Sequence, residues 1–200
     1  WMTVHPDEGG RIGRLEVGEV ALLQGDPAAG PLTWGCYPMA PWAGRVRNGS
    51  FTFQGVSHQL PLNMPPHAIH GTGFVSRWEV LDAGRDYCDL QTELPWHFGG
   101  LVTQHLQLDE HGLTAIMTVF ATAHAMPAVV GWHPCFLKPQ QADLEFGHMY
   151  VRDDEYIAVA ELVEPKPHPW DDCFVEPLAP LRLHYPTLTL TVSSDCDHWV

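Results

Sequence analysis

Two histidines stand three residues apart in Asn63-Met64-Pro65-Pro66-His67-Ala68-Ile69-His70-Gly71, the densest polar signal in an otherwise apolar stretch. The paired prolines withdraw backbone donors and stiffen the segment, and a stiff, strand-poor loop is where a scaffold sets side chains for function. An imidazole, with an unperturbed pKa of about 6.5, exchanges protons near neutrality. His67 and His70 therefore suit acid–base work; both rings could equally bond nearby carbonyls and serve structure alone.

A third imidazole, His133, lies in Gly131-Trp132-His133-Pro134-Cys135-Phe136, expected to end the apolar strand Ala128-Val129-Val130. A flat apolar wall such as Trp132 beside a titratable ring suits a sugar, whose C–H faces stack on aromatics while its hydroxyls need polar partners. The alternative is a core aromatic with an incidental histidine. In Trp170-Asp171-Asp172-Cys173-Phe174 two carboxylates are adjacent; on a strand they would point to opposite faces, so one alone could enter a given pocket. Arg45 and Arg47 follow Trp42 in the run Pro38-Met39-Ala40-Pro41-Trp42-Ala43-Gly44-Arg45-Val46-Arg47-Asn48-Gly49, and a guanidinium is a natural multi-donor clamp for sugar oxygens or carboxylates.

The elements that must position these groups read as strands. Phe51 and Phe53 alternate with Thr52 and Gln54 before Gly55, and Val56, His58 and Leu60 follow, which predicts a hairpin. Residues 102–108 and 113–121 flank Asp109-Glu110-His111-Gly112 as a second hairpin, and residues 181–184 and 188–192 repeat the period of two. Eighteen glycines and 18 prolines cut the chain into short elements, leaving no long window with helical spacing. The fold class is all-β, a sandwich or barrel in which packed sheets limit exposed edges. No repeat marks a boundary, so residues 1–200 are expected to form one domain, with the Pro-rich residues 163–170 as a loop delivering Asp171 to a site.

Composition excludes several partners. Twenty-four acidic residues against 10 basic ones give a formal charge of -14, which repels phosphate backbones and anionic lipid surfaces, so neither nucleic acid nor membrane is expected. Residues 1–14 carry no basic region followed by an apolar run, and no segment approaches the roughly 18 apolar residues of a membrane span. Five scattered cysteines without a Cys-x-x-Cys pair read as reduced thiols of a soluble, cytoplasmic protein. The strand patterns do not decide the oligomeric state.

Together and in this order, the Pro-Trp-Ala-Gly-Arg45-Val-Arg-Asn-Gly run, His67-Ala-Ile-His70-Gly71, Gly-Trp-His133-Pro-Cys-Phe and Asp171-Asp-Cys-Phe resemble the aldose 1-epimerase (galactose mutarotase-like) family across residues 15–200. The resemblance implies a large antiparallel β-sandwich that interconverts the α and β anomers of a free hexose by acid–base ring opening and reclosure. By the same resemblance His133 is the general acid, His70 and Arg45 bind and polarise the ring-oxygen side, Asp171 holds sugar hydroxyls and His67 shapes the site. Trp132 would supply the stacking wall. The partner is a small sugar of the galactose or glucose type, with no cofactor and no metal.

Two departures accompany it. Gly44 stands where the family has Asn, and the family's general-base glutamate is expected beyond Val200, since the chain has no glutamate after Glu176. The C-terminal part of the sandwich is accordingly expected to lie outside these residues. Alternatives are a non-catalytic carbohydrate binder, a hexose-6-phosphate 1-epimerase, for which basic groups are scarce, and a metal-dependent cupin-like enzyme. The last would project a His-x-His pair from one strand face, whereas His67 and His70 are three apart. Mass spectrometry of the intact protein is expected to give a value several kilodaltons above the 22.3 kDa of these residues; a mass equal to it would refute the extension.

Overall fold

A computed structural model describes residues 1–167 and 169–200; His168, in the Pro-rich segment, lies outside the described residues. The chain divides into two compact units, Trp1–Leu137 and Lys138–Val200. Helical residues among those described are confined to short 3-10 turns, Pro6–Glu8, Pro27–Ala29, Arg47–Gly49 and Gly73–Val75, and no described helix is long and apolar enough to cross a membrane. The expected all-β class holds, and the paired strands run antiparallel. The five cysteines are free thiols.

In the first unit one sheet runs in the order Met2–His5, Arg11–Val17, Cys36–Met39, Gly131–Pro134, with Val20–Ala21 on the second strand. A second sheet is a meander of Glu79–Ala83, Tyr87–Glu93, Leu101–Leu108 and Leu113–Phe120. Alternation buries Val102, Gln104 and Leu106 on one face of its third strand. These join Ile12, Leu23, Ala40, Trp78, Leu90 and Leu94 in the main apolar cluster.

Both expected hairpins of this unit form. Ser50–Phe53 and Val56–Gln59 are joined by Gln54 and Gly55, with φ of 50° and 78°. Positive φ at both central positions is the turn whose twist matches that of the strands. In the longer hairpin the Asp109 carboxylate accepts the N–H groups of His111 and Gly112 at 2.7 and 2.9 Å, a side-chain mimic of a backbone turn.

One strand is displaced from its expected place. Residues 128–130 are not a strand; Gly131–Pro134 is, paired with Cys36–Met39. The ladder ends before Pro41, which has no N–H to give; its carbonyl accepts the Val129 N–H at 3.0 Å, and Val129, 63% exposed, bridges Trp42. The histidine motif is therefore the strand itself. Likewise, the His67–His70 segment contains a two-residue strand, Ala68–Ile69, paired with Arg45–Val46.

In the second unit, Phe146–Arg152 is flanked by Ala158–Val163 and Phe174–Pro177, and His198–Trp199 extends the sheet beyond the latter. The expected hairpin Leu181–His184 with Thr189–Val192 forms and takes Gln141–Asp143 as its third strand. Phe146, Met149, Phe174 and Leu181 are the apolar centre.

Arg11 is 1% exposed, a buried cation on an inner strand of the first unit. Its Nε donates to Glu8 O at 2.7 Å, one terminal nitrogen to Pro31 O and Trp34 O at 2.9 and 3.0 Å, and the other to Phe74 O at 3.0 Å. Its guanidinium lies 4.5 Å from the centre of the Trp34 ring, where cation and π-face attract. One side chain thus ties the turn at residues 6–8, the loop at residues 31–34 and the turn at residues 73–75. Arg11→Met keeps the bulk but strands several buried carbonyls, and is expected to lower stability by about 3 kcal/mol or more, read from the urea unfolding midpoint.

Candidate active site

The segments bearing His70 and Arg45 are joined backbone to backbone. The Ala40 carbonyl accepts the N–H groups of Thr72 at 2.8 Å and Gly73 at 2.9 Å, and Ala40 bridges Gly71. The approach is so close that a Cβ on Gly71 would fall 2.0 Å from Ala40 O, and its φ of +77° is one that side chains rarely adopt. Just before it, His70 itself has φ of 56°, a left-handed turn costing roughly 1–2 kcal/mol for a residue with a Cβ. The turn swings the imidazole back onto the Gly44 peptide: His70 N–H donates to Gly44 O at 3.1 Å, and Gly44 N–H donates to His70 Nδ1 at 3.2 Å.

His133 reaches the same place from the other side. Its strand partner is Tyr37, and the two rings stack with centroids 4.5 Å apart and planes 8° apart. The His70 and His133 rings meet edge to face at 5.1 Å. The Asn63 side chain holds both the N–H and the carbonyl of Ile69, at 2.7 and 2.8 Å, so the residue before His70 is fixed as well.

A backbone hydrogen bond assigns the tautomer of His70. Because Nδ1 of His70 accepts the Gly44 N–H, its hydrogen sits on Nε2. Burial, then the charges of His133 and Arg45, push its pKa down to about 3, so His70 presents a neutral N–H donor at ordinary pH. On His133, Nδ1 lies 3.7 Å from Cys135 Sγ. Burial pushes the His133 pKa below its usual value. The two rings thus differ in their neighbours at Nδ1, a backbone N–H for His70 and a thiol for His133.

The remaining expected site residues are placed as follows. Arg45 stands on its two-residue strand opposite Ile69, near enough for its charge to act on the His70 ring. His67 is 6% exposed, and its Nδ1 accepts the Asn48 N–H at 3.2 Å; it pins the turn after Arg45. Trp132 alternates with His133, so it faces the opposite side of the strand, packed on the main apolar cluster rather than beside the histidines. Asp171 belongs to the second unit, outside its strands, and accepts from Arg152 at 3.4 Å. Sequence reasoning missed Tyr37, Cys135 and Arg11. The period of two could have put Tyr37 on a face with Met39, but only the register with Gly131–Pro134 brings it to His133.

The sequence profile of the aldose 1-epimerase family matches residues 4–175. This chain belongs to the aldose 1-epimerase family. It is 31% identical over 174 residues to the uncharacterized protein YphB of Escherichia coli K12, a match covering 82% of this chain and 59% of YphB. Its fold superposes on that of a galactose mutarotase-like protein from Clostridium acetobutylicum, with a TM-score of 0.76 at 18% identity over 94% of this chain and 68% of the other. It also superposes on the GalM/aldose epimerase homologue from C. elegans, with a TM-score of 0.80 at 12% identity, over 98% and 76% of the two chains. The fold is therefore the antiparallel, galactose mutarotase-like one. The chain spans 59% of the length of the curated relative.

The contact at Ala40 separates two uses of glycine in this epimerase-family chain. Gly55 has φ of +78° with open space around its missing Cβ, whereas Gly71 has φ of +77° against a backbone carbonyl. Gly55→Ala is expected to cost about 1 kcal/mol, from the backbone alone, and Gly71→Ala several times that. Equal losses on urea denaturation would show that close approach is not what demands glycine at position 71.

Proposed function

We propose that this protein is an aldose 1-epimerase acting on a free sugar, galactose-like or glucose-like, in the cytoplasm. A cyclic hemiacetal opens when the anomeric hydroxyl loses a proton and the ring oxygen gains one. The C1–O5 bond breaks, C1 becomes a carbonyl, rotation about C1–C2 presents its other face, and the reverse transfers close the ring to the other anomer. His133 delivers the proton from Nε2 to the ring oxygen and takes it back on closure. His70, neutral and donating from Nε2, holds that oxygen, with Arg45 beside it as the cationic partner. The proton of the anomeric hydroxyl goes to a carboxylate acting as general base.

The observation that carries this reading is a pair of half-buried imidazoles set edge to face, 5.1 Å between centroids, of which His70 is held neutral by burial and neighbouring charge. A pair with unlike environments is the usual mark of divided roles in acid–base catalysis. The acidic balance of the chain, 24 carboxylates to 10 basic side chains, favours a neutral sugar over a phosphorylated one.

Polarimetry of freshly dissolved α-galactose and α-glucose with the full-length protein is expected to show relaxation faster than a buffer blank. His133→Ala should slow it by about 10²–10⁴-fold, the range for a positioned proton-transfer group. A general acid works only while protonated, and burial lowers the pKa of His133. kcat/KM should therefore fall as pH rises through a value under about 6.5. Relaxation no faster than the blank would leave a sugar-binding protein as the better account, and a His133→Ala variant as fast as the parent would remove this acid.

A further inference from the structure

We infer that Tyr37 is the positioning residue of His133: its ring, not its hydroxyl, is the platform that fixes the plane of the imidazole and keeps water from its inner face. Tyr37 is fully buried, at 0% exposure, directly across the strand ladder from His133. The planes are 8° from parallel with centroids 4.5 Å apart, so the Tyr37 ring is stacked on one face of the imidazole. Tyr37 also meets the His70 ring at 6.0 Å and Phe74 at 5.5 Å, so a single aromatic touches both histidines.

The platform is itself held. The Arg11 guanidinium lies 5.3 Å from the centre of the Tyr37 ring, and its bonds to the carbonyls of Pro31, Trp34 and Phe74 anchor it to the surrounding loops. The Tyr37 hydroxyl reaches the Leu32 carbonyl at 3.5 Å, the outer limit of a hydrogen bond, and the Cys135 thiol reaches the same carbonyl at 3.9 Å. Such long contacts contribute little, whereas the two rings are stacked with centroids 4.5 Å apart. Among charged and titratable groups, His133 is faced by His70 from the residue before Gly71, by Cys135 from its own strand end and by Tyr37 from the neighbouring strand. Arg11 lies under Tyr37, and Arg45 acts on the far histidine. Burial is the first cause of the lowered His133 pKa, and the Tyr37 ring is part of what buries it.

The experiment is a pair of variants in the full-length protein, Tyr37→Phe and Tyr37→Leu, read by the NMR titration of the His133 ring. Tyr37→Phe is expected to leave the titration midpoint in place; Tyr37→Leu, which removes the flat face, should move it upward towards about 6.5 as water enters. If Tyr37→Leu does not fold by circular dichroism, Tyr37→Met takes its place. This readout does not depend on the epimerase reading. The kinetic readout does: under that reading Tyr37→Leu lowers kcat with little change in KM and shifts the pH limb of kcat/KM with the titration, while Tyr37→Phe does neither. A midpoint unmoved by loss of the ring, or moved equally by Phe and Leu, overturns the assignment. If no variant nor the parent accelerates mutarotation, the epimerase reading fails while the titration still decides the role of Tyr37.

Discussion

The contact between the Ala40 carbonyl and the Gly71 backbone is the constraint from which the site follows. It draws a loop carrying His67 and His70 against one carrying Gly44 and Arg45, and it satisfies the Thr72 and Gly73 donors with one oxygen. Without a side chain at position 71 the two backbones come within van der Waals contact, and the left-handed turn at His70 then has one place to put its ring. The strain at His70 is offset by the two bonds it makes with the Gly44 peptide. The side-chain geometry is thus decided by the main chain, which explains why a neutral imidazole can be held so firmly with a single ring nitrogen engaged.

Burial then does the electrostatic work. Removing water from His70 and His133 penalises their charged forms, and Arg45 adds to the penalty at His70. What differs between the rings is the neighbour at Nδ1: a backbone N–H for His70 and the Cys135 sulfur for His133.

Much of the scaffold was legible because it is local. Alternation at residues 51–59 and 101–120, with turn residues at Gln54-Gly55 and Asp109-Gly112, reports hairpins whose partners are adjacent in sequence. The motifs holding Arg45, His70 and His133 were legible as motifs. What joins them was not, since the ladder pairing Tyr37 with His133 closes over nearly a hundred residues. For the same reason Val129 and its neighbours looked like a strand while the true strand was the polar motif beyond. Trp132 could be seen as an aromatic beside a histidine, yet strand alternation sends the two to opposite faces. Tyr37 and Arg11 carry no sequence mark of their role; one resembles any core aromatic, the other a stray cation in an acidic chain.

The choice of arginine at position 11 has a consequence for the working range of the protein. A guanidinium keeps its charge at every pH a cell reaches, even where burial lowers its pKa. The tie at Tyr37 is therefore silent to acid and alkali. A lysine or histidine at that position would bring a titrating group into the foundation, and the carbonyls it holds would lose a donor whenever it gave up its proton. With arginine there, the foundation keeps its charge whatever the pH.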